Sequence, residues 1–505
     1  MPGPAATFDL GRLHGGLRLD ARKAASTSTR IQSPPLPERL VLPLEQHVGG
    51  PARPLVSVGE RVRKGQLLAE PPGPLGAPVH ASSSGRIAAI EPRPVSGRYG
   101  EPAPCIVIDC DGDDRAVDTW GQPAPYSGVR GDALLEMILQ GGIVGLGGAV
   151  YPTAQKLMQA AARELEYLVL NGAECEPYIS CDDMLMRERA DAIVSGAQIL
   201  LHALDLARGY IVVESDKPEA IRQLATALTA AAEERLVLKE IPTIYPSGGE
   251  DQLVQLVTDR EVPSGGLPTD VGCLVQNVGT AAAIHDWLQD GEPLVSRITT
   301  ITGDGIANPM NLRVRIGTPI ADVAAFAGGY TASAKHLVIG GPMTGRSVTT
   351  DRVPVVKATN CVLVMAEIPA TGAELPCIRC GDCAAACPVR LQPQQLFWYG
   401  RTDDERQLRE LGLTDCIECG CCDLVCPSHI PLTHAFRTAK ARIRELEDEK
   451  ARAERARRRF EAREERLQRE QQAREAELAR QKAQARKAGP DAIADIMKRK
   501  QRDGD

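Results

Sequence analysis

Fifteen cysteines occur in the chain, and nine of them fall into two short runs, eight of these in a repeated pattern. The first, CIRCGDCAAACP, carries Cys377, Cys380, Cys383 and Cys387, followed by Pro388. The second, CIECGCCDLVCP, carries Cys416, Cys419, Cys422 and Cys426, followed by Pro427. Each member of the second set lies 39 positions after its counterpart. Three thiolates with two residues between them wrap a loop round one corner of an iron–sulfur cube. The small residues between them (Gly381, Gly420) let the backbone approach the sulfides, and the proline turns the chain away. Paired C-x2-C sites for tetrahedral zinc have no need of three evenly spaced cysteines, a fourth and a proline, twice over.

In two-cluster ferredoxins with this spacing the fourth cysteine ligates the other cluster. That rule assigns Cys377, Cys380, Cys383 and Cys426 to one [4Fe–4S] cluster, and Cys416, Cys419, Cys422 and Cys387 to the second. The fifth cysteine of the second run, Cys421, aligns with Asp382 and is expected to be a bystander thiol.

The 376 residues ahead of Cys377 must position something for the clusters. The chain is 505 residues long, enough for three or four domains. Hydrophobic residues make up 43% and aromatics only 3%, so the cores are expected to be built of Leu, Val, Ile and Ala. A net charge of −7 argues against a nucleic-acid surface. No apolar run approaches the ~18 residues of a membrane span, and no signal peptide is expected at the N-terminus.

Over 36–92 the pattern predicts short strands and glycine turns, with Gly85 as a turn residue. Two such hairpins resemble half of a biotinyl/lipoyl-type barrel. The loop EPPGPLGAPV offers no lysine to modify, so a docking or packing role is expected. From 132 the chain changes to α/β. DALLEMILQGG reads as an amphipathic helix, and GGIVGLGGAVYPTAQK places Gly142, Gly145, Gly147 and Gly148 just ahead of a helix at Pro152-Thr153. Free N–H groups and the helix dipole make such a loop a phosphate cradle, and Lys156 in the first turn can pair with the anion. A strand then ends at Asn171-Gly172, followed by Glu174, Glu176, Asp182 and Asp183. The plain reading is a solvated acidic loop capped by Asp182; the other is a ligand site at a strand's carboxyl end. A second glycine loop (Gly248, Gly249, Glu250) and a strand ending at Gln276-Asn277, ahead of Gly279-Thr280, repeat the theme. His14, His47 and His80 have no partner at metal spacing and are expected to be structural.

GLGGAVYPTAQK, NGAECEP, SGGE and QNVGT, in this order, resemble the flavin- and NADH-binding subunit of respiratory complex I, the 51 kDa type. With the barrel before and the cysteine runs after, the chain is similar over roughly 8–436 to the RnfC/RsxC family of the Rnf/Rsx ion-translocating electron transport complexes. The resemblance implies a multidomain α/β and α+β protein. Its parts are a β-rich barrel-sandwich hybrid domain (1–125), a 51 kDa-like FMN/NADH-binding α/β domain (126–290) and an SLBB-like β-grasp domain (291–365). A two-cluster ferredoxin domain (366–436) and a charged helical tail, partly disordered (437–505), complete it. Carried over by position, the FMN contacts are Gly145, Gly147, Lys156, Asn171, Glu174, Gly248, Gly249, Glu250, Asn277 and Thr280. Glu176 falls beside the nicotinamide as the catalytic candidate. Two residues depart from the family pattern: Val150, expected to narrow the space beside the flavin, and Ala173, which replaces a carboxylate.

The chemistry of these groups is self-consistent. A nicotinamide gives up two electrons as hydride and a cluster accepts one, and a flavin can divide the pair. The expected function is an NADH-linked oxidoreductase subunit. It would sit peripherally on the cytoplasmic face of the bacterial inner membrane and pass electrons through two clusters to integral-membrane and cluster-bearing partners. Two alternatives share the sequence: a relay and docking scaffold without NADH activity, and a reductase arm that keeps a redox-sensing regulator reduced. From Lys440, alternating charge without proline predicts one long solvated helix that stops at Gly489-Pro490. Its sparse apolar residues keep no heptad.

Overall fold

A computed structural model describes residues 13–71, 73, 75–96, 101–367, 372–487 and 489–502. Residues 1–12 of the expected barrel domain, 368–371 of the expected ferredoxin domain, and 488 and 503–505 of the tail lie outside the described residues. Two compact units divide at Phe436.

The N-terminal strands are β1 (Arg39–Pro43), β2 (Arg53–Pro54), β3 (Arg61–Val62), β4 (Leu67–Glu70), β5 (Val79–His80), β6 (Gly85–Pro94) and β7 (Pro102–Cys110). They form two small sheets, ordered β1-β7-β6-β3 and β2-β4-β5. The strand that pairs both β1 and β6, β7, lies beyond the stretch where hairpins were expected. Gly85 is not a turn residue. It opens β6 opposite Cys110, where an added Cβ would lie 2.2 Å from the Asp109 carbonyl oxygen. Close approach, rather than a turn, demands glycine there.

The α/β region runs α1 (Asp132–Gln140), α2 (Thr153–Ala161), β8 (Tyr167–Gly172), α3 (Cys181–Glu188), α4 (Ala190–Ala203) and β9 (Gly209–Glu214). It continues with α5 (Pro218–Ala230), β10 (Leu236–Ile241), α6 (Glu250–Thr258), β11 (Cys273–Asn277) and α7 (Val278–Asp290). Its sheet is wholly parallel, in the order β10-β9-β8-β11. Leu168, Val169 and Leu170 are all fully buried, as a strand covered on both faces requires. The chain steps from β8 outward to β9 and β10, then returns to place β11 on the other side of β8. The switch point therefore lies between β8 and β11, where open α/β sheets bind ligands.

Next come β12 (Ser296–Thr302), β13 (Met310–Arg315), α8 (Ile320–Phe326), β14 (His336–Ile339), β15 (Arg346–Val348) and β16 (Cys361–Met365). These strands form a mixed sheet, β13-β12-β16-β14-β15, with a core of its own around Ile301, Leu312, Val323 and Val362. The three regions meet at Lys357, which is fully buried. Its ammonium donates to the carbonyls of Pro78 (2.8 Å) and Gly142 (2.6 Å), and its backbone N–H donates to Gln46. His80 and His47 face it from the barrel, and burial holds both below the usual histidine range.

The cysteine region is helical: α9 (Asp382–Ala385), α10 (Pro393–Arg401), α11 (Glu405–Glu410) and α12 (Cys421–Leu424). Its 39-residue repeat is also a backbone repeat. Positive φ recurs at Arg379 and Glu418, at Gly381 and Gly420, and at Arg390 and His429. The tail helix α13 (Leu432–Lys487) starts earlier than expected, and α14 (Gly489–Arg502) follows where a stop was expected. Pro490 stands in the first turn of α14, where its missing N–H has no helical partner to lose. Phe460, Leu467 and Leu478 are exposed, as on a solvated helix. No helix among the described residues is long and apolar enough to cross a membrane.

Candidate functional site

Asn171 and Asn277 stand side by side at the carboxyl ends of β8 and β11. Asn171 donates to the Gly248 carbonyl (2.9 Å) and so pins the second glycine loop to the sheet. Asn277 caps α7 by accepting from the Gly279 N–H (2.7 Å), and its amide donates to Asp182 (2.7 Å). The first glycine loop is tied to the same helix, because the Leu146 N–H donates to the Thr280 hydroxyl. Around these ends opens a cavity of about 490 Å³. Of the residues expected to contact flavin, Gly147, Asn171, Glu174, Gly248, Gly249, Glu250 and Asn277 line it, and so does Glu176. Gly145, Lys156 and Thr280 stand behind the wall. Gly145 bonds to the Tyr151 carbonyl, and Lys156 bridges Glu250 (2.6 Å) and the Val275 carbonyl (2.8 Å). The volume suits a ligand of flavin mononucleotide size.

The acidic loop is not solvated. Glu174 keeps 4% of its side chain exposed and Asp183 3%. Asp182 does not cap α3 from outside; it lies within its first turn. The cap comes from Glu174, whose carboxylate accepts from the N–H groups of Asp182 (2.7 Å) and Asp183 (3.1 Å). Burial pushes Glu174 up to about 8, against the pull of Lys23, which also donates to its backbone carbonyl. Glu176 accepts from the N–H groups of Met343 (2.7 Å) and Thr344 (3.0 Å) and from the Thr344 hydroxyl (3.1 Å). Burial raises it, and those donors hold it back. The two departures also read differently in space. Val150 packs against the main core rather than on the cavity wall, and Ala173 is fully buried against Gly248. Neither narrows the cavity.

Cys377, Cys380, Cys383 and Cys426 line one small pocket, although Cys426 comes from the other motif. Cys387 is buried and lies within electrostatic reach of Cys419 and Cys421. The Cys421 thiol bonds to Cys419 and lowers it to about 7. Among the described residues no three cysteine sulfurs lie within 4.8 Å of one another. Four thiolates on one zinc, each at about 2.3 Å, would crowd closer than that. A shared pocket with separated sulfurs fits the corners of a cube.

Family models match in the order of the regions: "RnfC Barrel sandwich hybrid domain" over 11–113, "Nuo51 FMN-binding domain" over 138–286, "SLBB domain" over 298–347 and "4Fe-4S dicluster domain" over 376–430. The C subunit of the ion-translocating oxidoreductase complex of Haemophilus influenzae (strain 86-028NP) is 43% identical, across 90% of this chain and 69% of that protein. The chain belongs to the RnfC family, the C subunits of ion-translocating oxidoreductase complexes. The family member of Pseudomonas aeruginosa is 49% identical across 88% of this chain, which spans 58% of that protein's length. The expected cofactors, FMN and a pair of [4Fe–4S] clusters, are those named by two of the matching domain models.

Sequence reasoning missed several residues of this RnfC site. Tyr245 and Ile417 share the cavity wall with Cys419, which was expected only as a cluster ligand, and Lys23 and Thr344 hold its two glutamates. Tyr245 had one signal, its place three residues ahead of Gly248. Lys23 and Thr344 had none, since they arrive from other regions of the chain.

Proposed function

We propose that the chain is the peripheral, nicotinamide-linked electron-input subunit of an ion-translocating oxidoreductase complex on the cytoplasmic face of the inner membrane. It oxidises NADH at an FMN site and passes electrons through two [4Fe–4S] clusters to integral-membrane and cluster-bearing partner subunits. The observation that carries this reading is the shared wall. One cavity of about 490 Å³ is bounded by both glycine loops and by Cys419 of the second cysteine motif.

When bound, the flavin supplies a two-electron acceptor able to release electrons singly, which matches hydride donors to one-electron clusters. The chain's own residues bind and orient. Gly147, Gly248 and Gly249 leave backbone close to a ligand, and the α7 N-terminus at Asn277 presents its dipole to an anion. Lys156 keeps a cation behind the loop, paired with Glu250 until a phosphate competes for it. Glu176, fixed by three donors, sets a rigid acceptor at the mouth facing Thr344.

The test is the full chain, reconstituted anaerobically with iron, sulfide and FMN. It is expected to hold one flavin and about eight irons and to reduce ferricyanide with NADH. A chain that keeps its irons yet binds no FMN and oxidises no NADH would overturn this reading in favour of a scaffold.

A further inference from the structure

The first glycine loop has two unlike sides. Gly147 and Gly148 are exposed, and their N–H groups donate to nothing among the described residues. Gly142, Ile143, Val144 and Leu146 are buried. A loop that keeps N–H groups free for an anion on one side must satisfy its buried carbonyls on the other. Here the donors are two cations. Lys357 donates to the Gly142 carbonyl (2.6 Å). Arg297 donates to the Leu146 carbonyl (3.4 Å) and to the backbone carbonyl of Lys357. Both come from the mixed-sheet region. Arg297 stands in β12 and Lys357 just ahead of β16, and those two strands pair in parallel from Thr300 and Cys361 onward. The sheet thus fixes the cations beside each other, with 5% and 1% of their surfaces exposed. The loop is pressed into this joint, since a Cβ on Gly142 would lie 2.7 Å from the Pro78 carbonyl oxygen.

The two charges are compensated unequally. Arg297 has the Cys181 thiol and Asp182 within electrostatic reach. Lys357 has no carboxylate beside it among the described residues. The groups that face it are His47 and His80 of the barrel and Arg297 of its own region. A buried cation without a counter-charge is costly, and an anion held across the loop lowers that cost. We propose that Lys357 and Arg297 are positioning residues of the flavin site, which hold the first glycine loop from behind, and that Lys357 makes the loop prefer a ligand with a phosphate over one without. This rests on the FMN site of the proposed function. It gives the mixed-sheet region a part in a cavity formed mainly by the α/β region. The same arrangement couples phosphate binding to the charge on Lys357. Burial holds the ammonium down to about 7, so it loses its proton between pH 7 and pH 9 unless an anion retains it. A phosphate is close to dianionic throughout that range. His47 and His80 are held below it and stay neutral. Preference for the phosphate therefore falls as pH rises.

The test is flavin binding by the full-length chain, reconstituted with iron and sulfide and followed by the quenching of flavin fluorescence. The two probes, FMN and riboflavin, differ by the phosphate alone. The unmodified chain is expected to prefer FMN, and to lose about tenfold of that preference between pH 7 and pH 9. Lys357→Met is expected to lose about tenfold more affinity for FMN than for riboflavin at pH 7, and its preference should no longer change with pH. Arg297→Lys, which keeps the charge, is expected to retain the pH-dependent preference. Equal losses for both probes in Lys357→Met would reduce the residue to a structural joint and overturn the proposal. So would a pH-independent preference in the unmodified chain, a result that needs no variant to fold. A chain that binds neither probe would overturn the flavin site and this proposal together, whereas one that binds both alike would overturn the proposal and leave the site standing. No NADH enters, so failure to oxidise NADH counts against the proposed function alone.

Discussion

The cluster region and the cavity are assembled in opposite ways. The cysteines proposed to hold the two clusters come from two loops of one backbone shape, repeated 39 residues apart, and each loop keeps its own turn hydrogen bonds. The cavity draws its wall from segments between Gly147 and Cys419, and its glutamates are held by Lys23 on one side and Thr344 on the other. A loop that folds by itself tolerates changes around it. A wall gathered from several regions depends on the joints between them. Damage to the clusters should therefore stay local and follow individual thiols, whereas damage to the cavity should follow any residue that keeps the regions in register.

The sharpest break is expected within the second motif. Cys422→Ala should halve the iron content, from about eight to about four per chain, while Cys421→Ala, one residue away, should keep it all. Iron loss from Cys421→Ala would show that the repeat has been set in the wrong register.

The joint at Lys357 comes next. Removing its amine leaves the Pro78 and Gly142 carbonyls without their donor. At about 1–3 kcal/mol for a buried unsatisfied group, Lys357→Met should cost about 2 kcal/mol at pH 9. The effect should shrink toward pH 6. Burial pushes Lys357 down to about 7 in the folded chain, against an ordinary 10.5. Between those values the unfolded chain binds more protons, so this group makes stability rise with pH there, by up to about 1.4 kcal/mol per unit. The variant should lack that rise. His47 and His80 do not disturb the window, since both titrate below it. Urea melts of both chains at pH 6 and pH 9 read the difference directly.

Smaller effects should separate the cavity from the clusters. Gly147→Val adds a side chain where a Cβ already meets Asn277 at 3.4 Å. At about 1–2 kcal/mol of crowding it should weaken FMN binding by about tenfold, with the iron unchanged. Glu176→Gln keeps the shape but turns an amide toward one of three donors. It should cost about 1 kcal/mol in stability and raise the KM for NADH without altering flavin or iron content. Tyr245→Phe removes one bond to the Cys419 carbonyl and should cost about 1 kcal/mol or less, shifting the EPR signal of the second-motif cluster alone.

These contrasts also explain what could be read from the letters. The proposed cluster ligands lie within two twelve-residue runs, and the ferredoxin rule for that spacing is what put Cys426 with the first set and Cys387 with the second. Asn171 and Asn277 were legible because strand ends that open on helix starts carry a local pattern. The burial of Glu174 and Asp183 was not, since an acidic loop looks solvated until another region covers it. Val150 was misjudged for the same reason: it packs against the core behind the loop, and nothing in its neighbours encodes that direction. Tyr245, Lys23 and Thr344 reach the site through contacts between residues 151 to 174 positions apart, where no periodicity speaks for them.

The most direct measurement is an anaerobic titration of the reconstituted full chain with NADH, following the flavin absorbance and the cluster EPR signals together. The flavin should bleach and reduced-cluster signals should then appear. A chain whose clusters accept electrons from dithionite but whose flavin and clusters both stay oxidised under excess NADH would contradict the account.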